Sequence, residues 1–239
     1  MSELEAVPED WERALAVVAH PDDLEYGAAS AIARWTEQGK EIAYLLVTSG
    51  EAGIDSMAPD ECARVRQEEQ RRSAAAVGVE TVDFLTHPDG LVEHSIDLRR
   101  DIATVIRRHR PDVVVSINFR ESFGFPGFNH VDHRNTGLAL IDAVRDAANR
   151  WLFVGAGGDP WNGVRFALFG NSPQSTHGVD VTDTIDRGVT SLEAHRTYLD
   201  ALDPGTRGTD PDAFLREMAT ETGPRLGVEA AVAFEMIPF

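Results

Sequence analysis

Short apolar runs that alternate with helical segments constrain the fold of this chain more than any other feature. The runs are rich in Val, Ile, Leu and Ala and have the length of buried parallel strands. They lie at residues 14–18, 42–47, 82–85 and 113–117. Helices are predicted after each of them, at residues 25–38, 60–77, 96–109 and 132–150. Strands and helices in this order predict an α/β fold with a Rossmann-like, doubly wound, mostly parallel sheet.

The last third of the chain is less regular, and its elements are predicted from shorter signals. Strands are predicted at residues 164–169, 179–181 and 230–234. One helix is predicted at residues 184–201, and one further short helix before the last strand. Neither an internal repeat nor a linker-like segment divides the sequence. We therefore expect one domain over residues 1–239.

The composition and the net charge limit the kinds of partner that this protein can bind. Hydrophobic residues make up 42% of the 239 residues, which is enough for a packed core. The formal net charge of −18 argues against nucleic acid and anionic membranes, because phosphate contacts need clustered Lys and Arg. The single cysteine, Cys62, excludes an intramolecular disulfide and a cysteine-based zinc cage. Because the sequence has no recognisable signal peptide or membrane span, we expect a cytoplasmic protein.

The first predicted strand runs directly into a cluster of metal-binding side chains. His20, Asp22 and Asp23 follow it within four positions, at the sheet edge where ligands gather in open α/β folds. An imidazole nitrogen with carboxylate oxygens suits Zn²⁺, Fe²⁺ or Mn²⁺. Since adjacent side chains point in different directions, one of the two aspartates is left free to act as a base. The alternative is a turn whose Asp caps the next helix.

A second cluster follows the fourth predicted strand and the loop at residues 118–129. His130 and His133 lie three positions apart at the start of a helix, so both can face one cavity. One of them can complete a His-Asp-His ligand set and the other can touch the substrate, while Asp132 can orient an imidazole. The alternative is a capped helix start with two surface histidines. Two such clusters at one sheet edge favour a mononuclear metal-hydrolase site.

These residues resemble the LmbE-like, or PIG-L, family of zinc deacetylases. The Ala-His-Pro-Asp-Asp segment ending at Asp23 and the His-x-Asp-His segment ending at His133 carry the resemblance. Further matching motifs extend it from residue 13 to about residue 200. They are Thr48–Gly53, Arg66 with Glu69, Asp89 with Gly90, Val179–Thr182 and Leu192–Arg196. The order and spacing of the motifs identify the family rather than one member of it.

The resemblance implies a role for each site residue. It implies Zn²⁺, or Fe²⁺ as the alternative, held by His20, Asp23 and His133. It implies that Asp22 is the general base and that His130, in its protonated form, stabilises the oxyanion. It further implies substrate contacts from Glu51, Arg66, Asp89 and Asn129. The implied reaction removes the acetyl group of an N-acetylglucosamine-type substrate, a small molecule.

Two departures from the family pattern bear on the substrate. Phe128 stands where some relatives have a tyrosine, and Thr197-Tyr198 stands where many have Ser-Gln. Single histidines such as His87 are expected to lie outside the site, with His195 the strongest candidate for a supporting role. Cys62 is expected to be inert.

Several alternatives stay open at this point. The first is a hydratase of an unsaturated dicarboxylic acid, whose substrate would need cationic contacts from Arg66, Arg120 and Arg134. The others are an amidase of a thiol-cofactor conjugate, a mononuclear Fe(II) oxygenase and a sugar-binding relative without activity. A homo-oligomer is also compatible with the sequence.

Overall fold

A computed structural model describes residues 3–123, 127–203 and 205–239 of the chain. Its strands are β1 (Glu5–Ala6), β2 (Arg13–Val18), β3 (Glu41–Leu46), β4 (Thr81–Phe84), β5 (Val113–Ile117), β6 (Phe166–Gly170), β7 (His177–Asp180) and β8 (Ala231–Pro238). Its helices are α1 (Asp23–Gly27), α2 (Ala29–Glu37), α3 (Pro59–Ala76), α4 (Ile96–His109), α5 (Val131–Ala148), α6 (Ile185–Glu193), α7 (Arg196–Ala201) and α8 (Pro211–Leu226).

The strands form one sheet in the order β1-β7-β8-β6-β5-β2-β3-β4. β8 runs antiparallel to both of its neighbours, and the other neighbouring strands are parallel. The predicted doubly wound, mostly parallel α/β sheet is therefore confirmed.

Helices cover both faces of the sheet because each central strand is buried on both sides. In β2, Ala14, Ala16 and Val18 belong to one core cluster, whereas Leu15 and Val17 belong to the other. This alternation follows from the two-residue period of a strand. Helices α2 and α6 contribute to the first cluster, and α4 and α5 pack together in the second.

The order of the strands reverses at β2, which pairs with β3 on one side and with β5 on the other. In a doubly wound sheet, a crevice opens at such a switch point, beyond the carboxyl ends of the two strands. His20 follows β2, and the segment that contains His130 and His133 follows β5. The topology therefore brings the two sequence clusters to one crevice. Residues 124–126 of the loop predicted at 118–129 lie outside the described residues.

The structure differs from the prediction in several elements, mainly in the last third. The helix predicted at 25–38 is two helices, because Ala28 has an extended φ of −149° between α1 and α2. The helix predicted at 184–201 breaks where buried His195 separates α6 from α7. The helix predicted to be short is α8, with 16 residues. Strand β1 was not predicted, since its two residues give no apolar pattern.

No helix in the described part of the chain combines the length and apolar character that crossing a membrane requires.

Replacing Gly137 by alanine is expected to destabilise the contact between α5 and the segment after β5. A β-carbon at Gly137 would lie 2.3 Å from Cβ of Phe119. Overpacking costs about 1–3 kcal/mol, and the gain of roughly 1 kcal/mol for alanine over glycine in a helix offsets only part of this. We expect a lower urea midpoint for Gly137→Ala. Leu138→Ala, which shortens a side chain that is 43% exposed, should change the midpoint little. Equal midpoints for Gly137→Ala and the wild type would contradict the close packing.

Candidate metal centre

The structure brings His20, Asp23 and His133 together at the switch point. His20 Nδ1 lies 3.2 Å from His133 Nε2, and Asp23 Oδ1 lies 3.0 Å from the same Nε2 atom. One ligand atom from each of the three residues falls within 4.8 Å of the other two. Two imidazole nitrogens and a carboxylate oxygen form a donor set that suits a transition-metal dication. The described residues thus contain a His-His-Asp metal-ligating set.

The backbone at Asp22 separates the two adjacent aspartates. Asp22 has a φ of +95°, in the left-handed region that few non-glycine residues adopt, and it directly precedes α1. Its backbone N–H donates to Gln70 Oε1 at 3.1 Å. Asp23, at the start of α1, turns its carboxylate toward the histidines, while Asp22 Oδ2 lies 3.3 Å from Arg66 Nη2. The turn therefore leaves Asp22 beside the ligand set and outside it.

Asp132 and Asp89 hold the far side of the His20 ring. His20 Nε2 lies 3.1 Å from Asp132 Oδ2 and 3.1 Å from Asp89 Oδ1. A proton on Nε2 donates to Asp132 Oδ2, so Nδ1 is the nitrogen directed at the ligand set. Asp132 is fully buried and also accepts the backbone N–H groups of Gly90 and Val92. The prediction that Asp132 orients an imidazole is met at His20.

Asn129 orients the ring of His133, as Asp132 orients the ring of His20. Its Oδ1 lies 2.9 Å from His133 Nδ1, so Nδ1 carries the proton and Nε2 is free to bind a metal. Its Nδ2 donates to the carbonyl oxygens of Asn118 and Arg120, which fixes the amide in this orientation. Partners behind both rings are a regular feature of metal-ligating histidines, and they support the ligand assignment.

His130 lies next to the ligands but is half exposed, with 48% of its side chain open to solvent. Its Nδ1 accepts the backbone N–H of Asp132 at 3.2 Å. Partial burial and the neighbouring His20 lower the pKa of His130, which favours the neutral ring with its proton on Nε2. This ring can donate a hydrogen bond without a positive charge. The expectation that His130 acts in protonated form stays a prediction.

His20, His130 and Asp132 also come close enough to form an alternative metal-ligating group. We favour the first group, because Asp132 already accepts two backbone N–H groups and His130 Nδ1 accepts one.

Charge inside the site is balanced between the histidines and the carboxylates. Burial alone would raise the pKa of Asp23, but His133 and His20 hold that pKa below its usual range. Burial likewise works against a charged His20, yet Asp23 and Asp132 raise the pKa of His20 well above its usual value. A metal ion would displace that proton when it binds Nδ1.

Burial raises the pKa of Asp22 to about 6, although the Arg66 guanidinium works in the opposite direction. A dication in the site would lower this pKa again.

All four residues predicted to contact substrate make hydrogen bonds to protein atoms. Arg66 is buried and donates to the carbonyl oxygens of Pro21 and Gly50. Asp89 binds His20 and accepts the N–H of Ala52, and Asn129 binds His133. Glu51 is partly exposed, and its carboxylate accepts the N–H groups of Ser49 and Asp89. Their contacts orient the site, and their substrate contacts stay a prediction.

Other predicted positions lie away from the ligands or behind them. His87 pairs with Asp101 at 3.1 Å and belongs to neither metal-ligating group of the described residues. Cys62 is buried against the carbonyl oxygen of Gly50. His195 is fully buried, with Nε2 3.7 Å from Glu25 Oε2.

Sequence reasoning missed Gln70, which accepts the backbone N–H of Asp22, and it marked Tyr198, whose ring packs on Arg66, only as a departure from the family pattern. Gln70 lies four positions after Arg66 on α3, hence on the same helix face, and this spacing could have indicated it. Tyr198 contacts the site only because the chain breaks before α7, and no local pattern indicates that approach.

Fold and site together define a metal-dependent hydrolase with a free carboxylate beside its ligands. The family described as PIG-L, GlcNAc-PI de-N-acetylase, matches residues 15–144, more than half of the chain. The chain belongs to this family.

Known proteins similar to the chain agree with this membership. A diacetylchitobiose deacetylase from Thermococcus kodakarensis is 28% identical over 235 residues, which cover 96% of this chain and 84% of that protein. The solved structure of N,N′-diacetylchitobiose deacetylase from Pyrococcus horikoshii has a TM-score of 0.85 at 26% identity and covers 96% of this chain and 85% of its own. A 1D-myo-inositol 2-acetamido-2-deoxy-alpha-D-glucopyranoside deacetylase from Kineococcus radiotolerans is 32% identical, over 62% of this chain and 49% of that protein. These relatives support deacetylation over the alternative of hydration.

His133→Ala is expected to abolish metal binding, because it removes one of the three protein ligands. The lost atom is Nε2, which faces the side chains of His20 and Asp23. Elemental analysis of the purified protein should give a metal content near zero. His94→Ala, which removes a surface histidine paired with Asp142, is the matched control and should retain the metal. A His133→Ala protein with full metal content would refute the ligand assignment.

Asp132→Asn is expected to weaken metal binding about 10- to 100-fold, the usual effect of losing a partner behind a ligating histidine. Its amide nitrogen cannot accept a hydrogen bond, so His20 or one of the two backbone N–H groups loses its acceptor. Competition with a chromophoric chelator measures the affinity. Asp142→Asn, at an exposed carboxylate that binds His94, should leave it unchanged. An unchanged metal affinity in Asp132→Asn would show that His20 binds the metal without help from the Asp132 carboxylate.

Proposed function

We propose that this protein is a metal-dependent N-deacetylase that hydrolyses the acetamide of an N-acetylglucosamine-type sugar. The observation that carries the proposal is the position of Asp22, which is buried 3.3 Å from Arg66 and beside the three ligands without being one of them. A hydrolase needs a base of this kind next to the metal. The named activities of the similar proteins supply the substrate class.

The donor set supports zinc as the metal, with Fe²⁺ as the alternative. His20, Asp23 and His133 would hold it, and a catalytic site keeps a position open beyond three protein ligands. A bound zinc ion would act as a Lewis acid and would lower the pKa of a water molecule bound to it to about 7.

The protein side chains carry out proton transfer and stabilise the developing negative charge. Asp22 takes the proton of the attacking water and returns it to the leaving amine. Because burial raises its pKa only to about 6 and a bound dication would lower it again, Asp22 is ionised near neutral pH and can accept the proton. His130 Nε2–H donates to the acetamide oxygen as negative charge develops on it. The products are acetate and the free amine. Glu51, Arg66, Asp89 and Asn129 are retained as proposed substrate-side residues.

The contacts of two of the three candidate arginines disfavour the hydratase, whereas Nε of Arg134 has no hydrogen-bond partner among the described residues. A dicarboxylate substrate needs unpaired cations, but Arg66 faces Asp22 and Arg120 pairs with Glu235. The buried Asp22 beside the ligands also disfavours the Fe(II) oxygenase. An oxygenase would have no evident use for this carboxylate, whereas hydrolysis needs it as a general base.

An acetate-release assay tests the proposal. The metal-free protein, prepared with a chelator, is loaded with Zn²⁺ or Fe²⁺ and given N,N′-diacetylchitobiose, N-acetylglucosaminyl-inositol or an unsaturated dicarboxylic acid. We expect acetate from at least one of the N-acetylated sugars, only with metal present. Loss of enol absorbance from the dicarboxylic acid without acetate release from either sugar would replace the proposal by hydration.

Asp22→Asn is expected to keep the metal and to lower kcat by about 10²- to 10⁴-fold, the usual contribution of a general base. The amide has the size of the carboxylate but cannot take the proton. Initial rates and elemental analysis on the same sample separate loss of the base from loss of the metal. Asp142→Asn, which neutralises an exposed carboxylate, should retain the wild-type rate. A normal rate in Asp22→Asn would remove Asp22 from the mechanism.

A further inference from the structure

The side chain of Gln70 bridges the turn before α1 and the helix itself. Gln70 is buried on α3, four positions after Arg66. Its Oε1 accepts the backbone N–H of Asp22 at 3.1 Å, and its Nε2 donates to Glu25 Oε1 at 2.8 Å. Both contacts are buried, and a buried polar group that lacks its partner is costly. One amide therefore links the residue before α1 to a residue in the first turn of that helix.

The surroundings of Glu25 fix the direction of this amide. An ionised carboxylate only accepts hydrogen bonds, so the NH2 group of Gln70 must face Glu25 and its oxygen must face the N–H of Asp22. Glu25 is itself buried, and Ser73 Oγ, further along α3, also donates to its Oε1, at 2.5 Å. The acceptor for the Asp22 N–H is thus held in place from α3 and α1 together.

The hydrogen bond from Asp22 acts on a backbone conformation that few non-glycine residues adopt. Asp22 has a φ of +95°, and its side chain faces Arg66 and makes no capping hydrogen bond to the described helix α1. Its carbonyl oxygen accepts the N–H groups of Glu25 and Tyr26, where α1 begins. The carbonyl oxygen of the preceding Pro21 accepts Arg66 Nη2 at 2.5 Å. Side chains of α3 therefore bind the turn on both sides of the strained φ bond.

The conformation of Asp22 governs how Asp23 is placed relative to the histidines. Asp23 Oδ2 accepts the backbone N–H of His20 at 2.9 Å, and Asp23 Oδ1 lies 3.0 Å from His133 Nε2. A change of φ at Asp22 would rotate the chain that carries Asp23 relative to the chain that carries His20. If the turn relaxed in the metal-free protein, metal binding would have to restore the strained conformation, and the affinity for the metal would fall.

We propose that Gln70 is a positioning residue for the metal centre: its amide holds the turn at Asp22 in the left-handed conformation and thereby directs the Asp23 carboxylate at the histidines. This inference rests on the proposed function, because it takes Asp23 as a ligand of the metal. Gln70 carries no charge and acts through the backbone of Asp22.

Gln70→Met tests the proposal, because methionine keeps the length of the side chain and removes the amide. We expect the affinity for Zn²⁺, measured by competition with a chromophoric chelator, to fall about tenfold, within the range that the strain of one residue allows. Gln38→Met is the matched control, since the Gln38 amide binds the exposed Glu9 Oε2 at the end of α2. Its affinity should equal that of the wild type. An unchanged affinity in Gln70→Met would overturn the proposal.

Glycine and alanine at position 22 separate the enforcement of the turn from a general packing effect. Both lack the carboxylate, but only glycine adopts a positive φ without strain. In an Asp22→Ala background, Gln70→Met should lower the affinity for Zn²⁺ about tenfold, whereas in an Asp22→Gly background it should leave the affinity nearly unchanged. Equal falls in the two backgrounds would indicate a packing role for Gln70 and would overturn the proposal.

The backbone at residue 22 gives a readout that needs neither metal nor substrate. In crystal structures of metal-free protein, the Asp22→Ala variant should keep the positive φ at residue 22, and the Asp22→Ala/Gln70→Met variant should lose it. A φ near +95° in the double variant would overturn the proposal. If the wild type bound no Zn²⁺ or released no acetate from any sugar, the proposed function would fail, while this φ would still decide whether Gln70 holds the turn.

Discussion

The buried carboxylate of Asp132 is the interaction on which the geometry of the site depends. It accepts the backbone N–H groups of Gly90 and Val92, beyond β4, and faces the ring of His20, beyond β2, while Asp132 itself lies in the first turn of α5. One side chain thus joins three segments that leave the sheet at the same edge. A buried carboxylate is stable only when its oxygens are paired, so these segments hold one another in place. The ligand His20 is thereby oriented from the cluster that supplies the ligand His133.

A strained backbone at one residue accounts for the different directions of the two adjacent aspartate carboxylates. A non-glycine residue in the left-handed region costs about 1–3 kcal/mol, and it persists only where surrounding contacts enforce it. At Asp22 these contacts include the hydrogen bond from its N–H to Gln70 and the start of α1 at Asp23. With this backbone conformation, the Asp23 carboxylate points toward the histidines and the Asp22 carboxylate points toward Arg66.

The strands and the clusters at their ends could be predicted because their signals are local. Apolar runs define β2, β3 and β5, and the parallel order places His20 and His133 at one edge. The breaks at Ala28 and His195 could not be predicted, because they follow from the packing of short helices against the sheet and α3. The residues behind the ligands depend on register between distant segments, as in the contact of Asn129 with His133. Hence the sequence indicated the ligand set and the free aspartate, but not Gln70, and it marked Tyr198 only as a departure from the family pattern.

The metal-ligating set and the aromatic ring that packs on Arg66 come from different parts of the chain. All three ligands, together with Asp22, Arg66 and Gln70, lie within residues 15–144, the part that matches the family. Tyr198 lies in the last third, on a short helix whose approach depends on the hydrogen bond from Thr197 to Glu69. Changes in this third can therefore alter the packing on Arg66, the partner of Asp22, while the segments that carry the metal-ligating set stay the same.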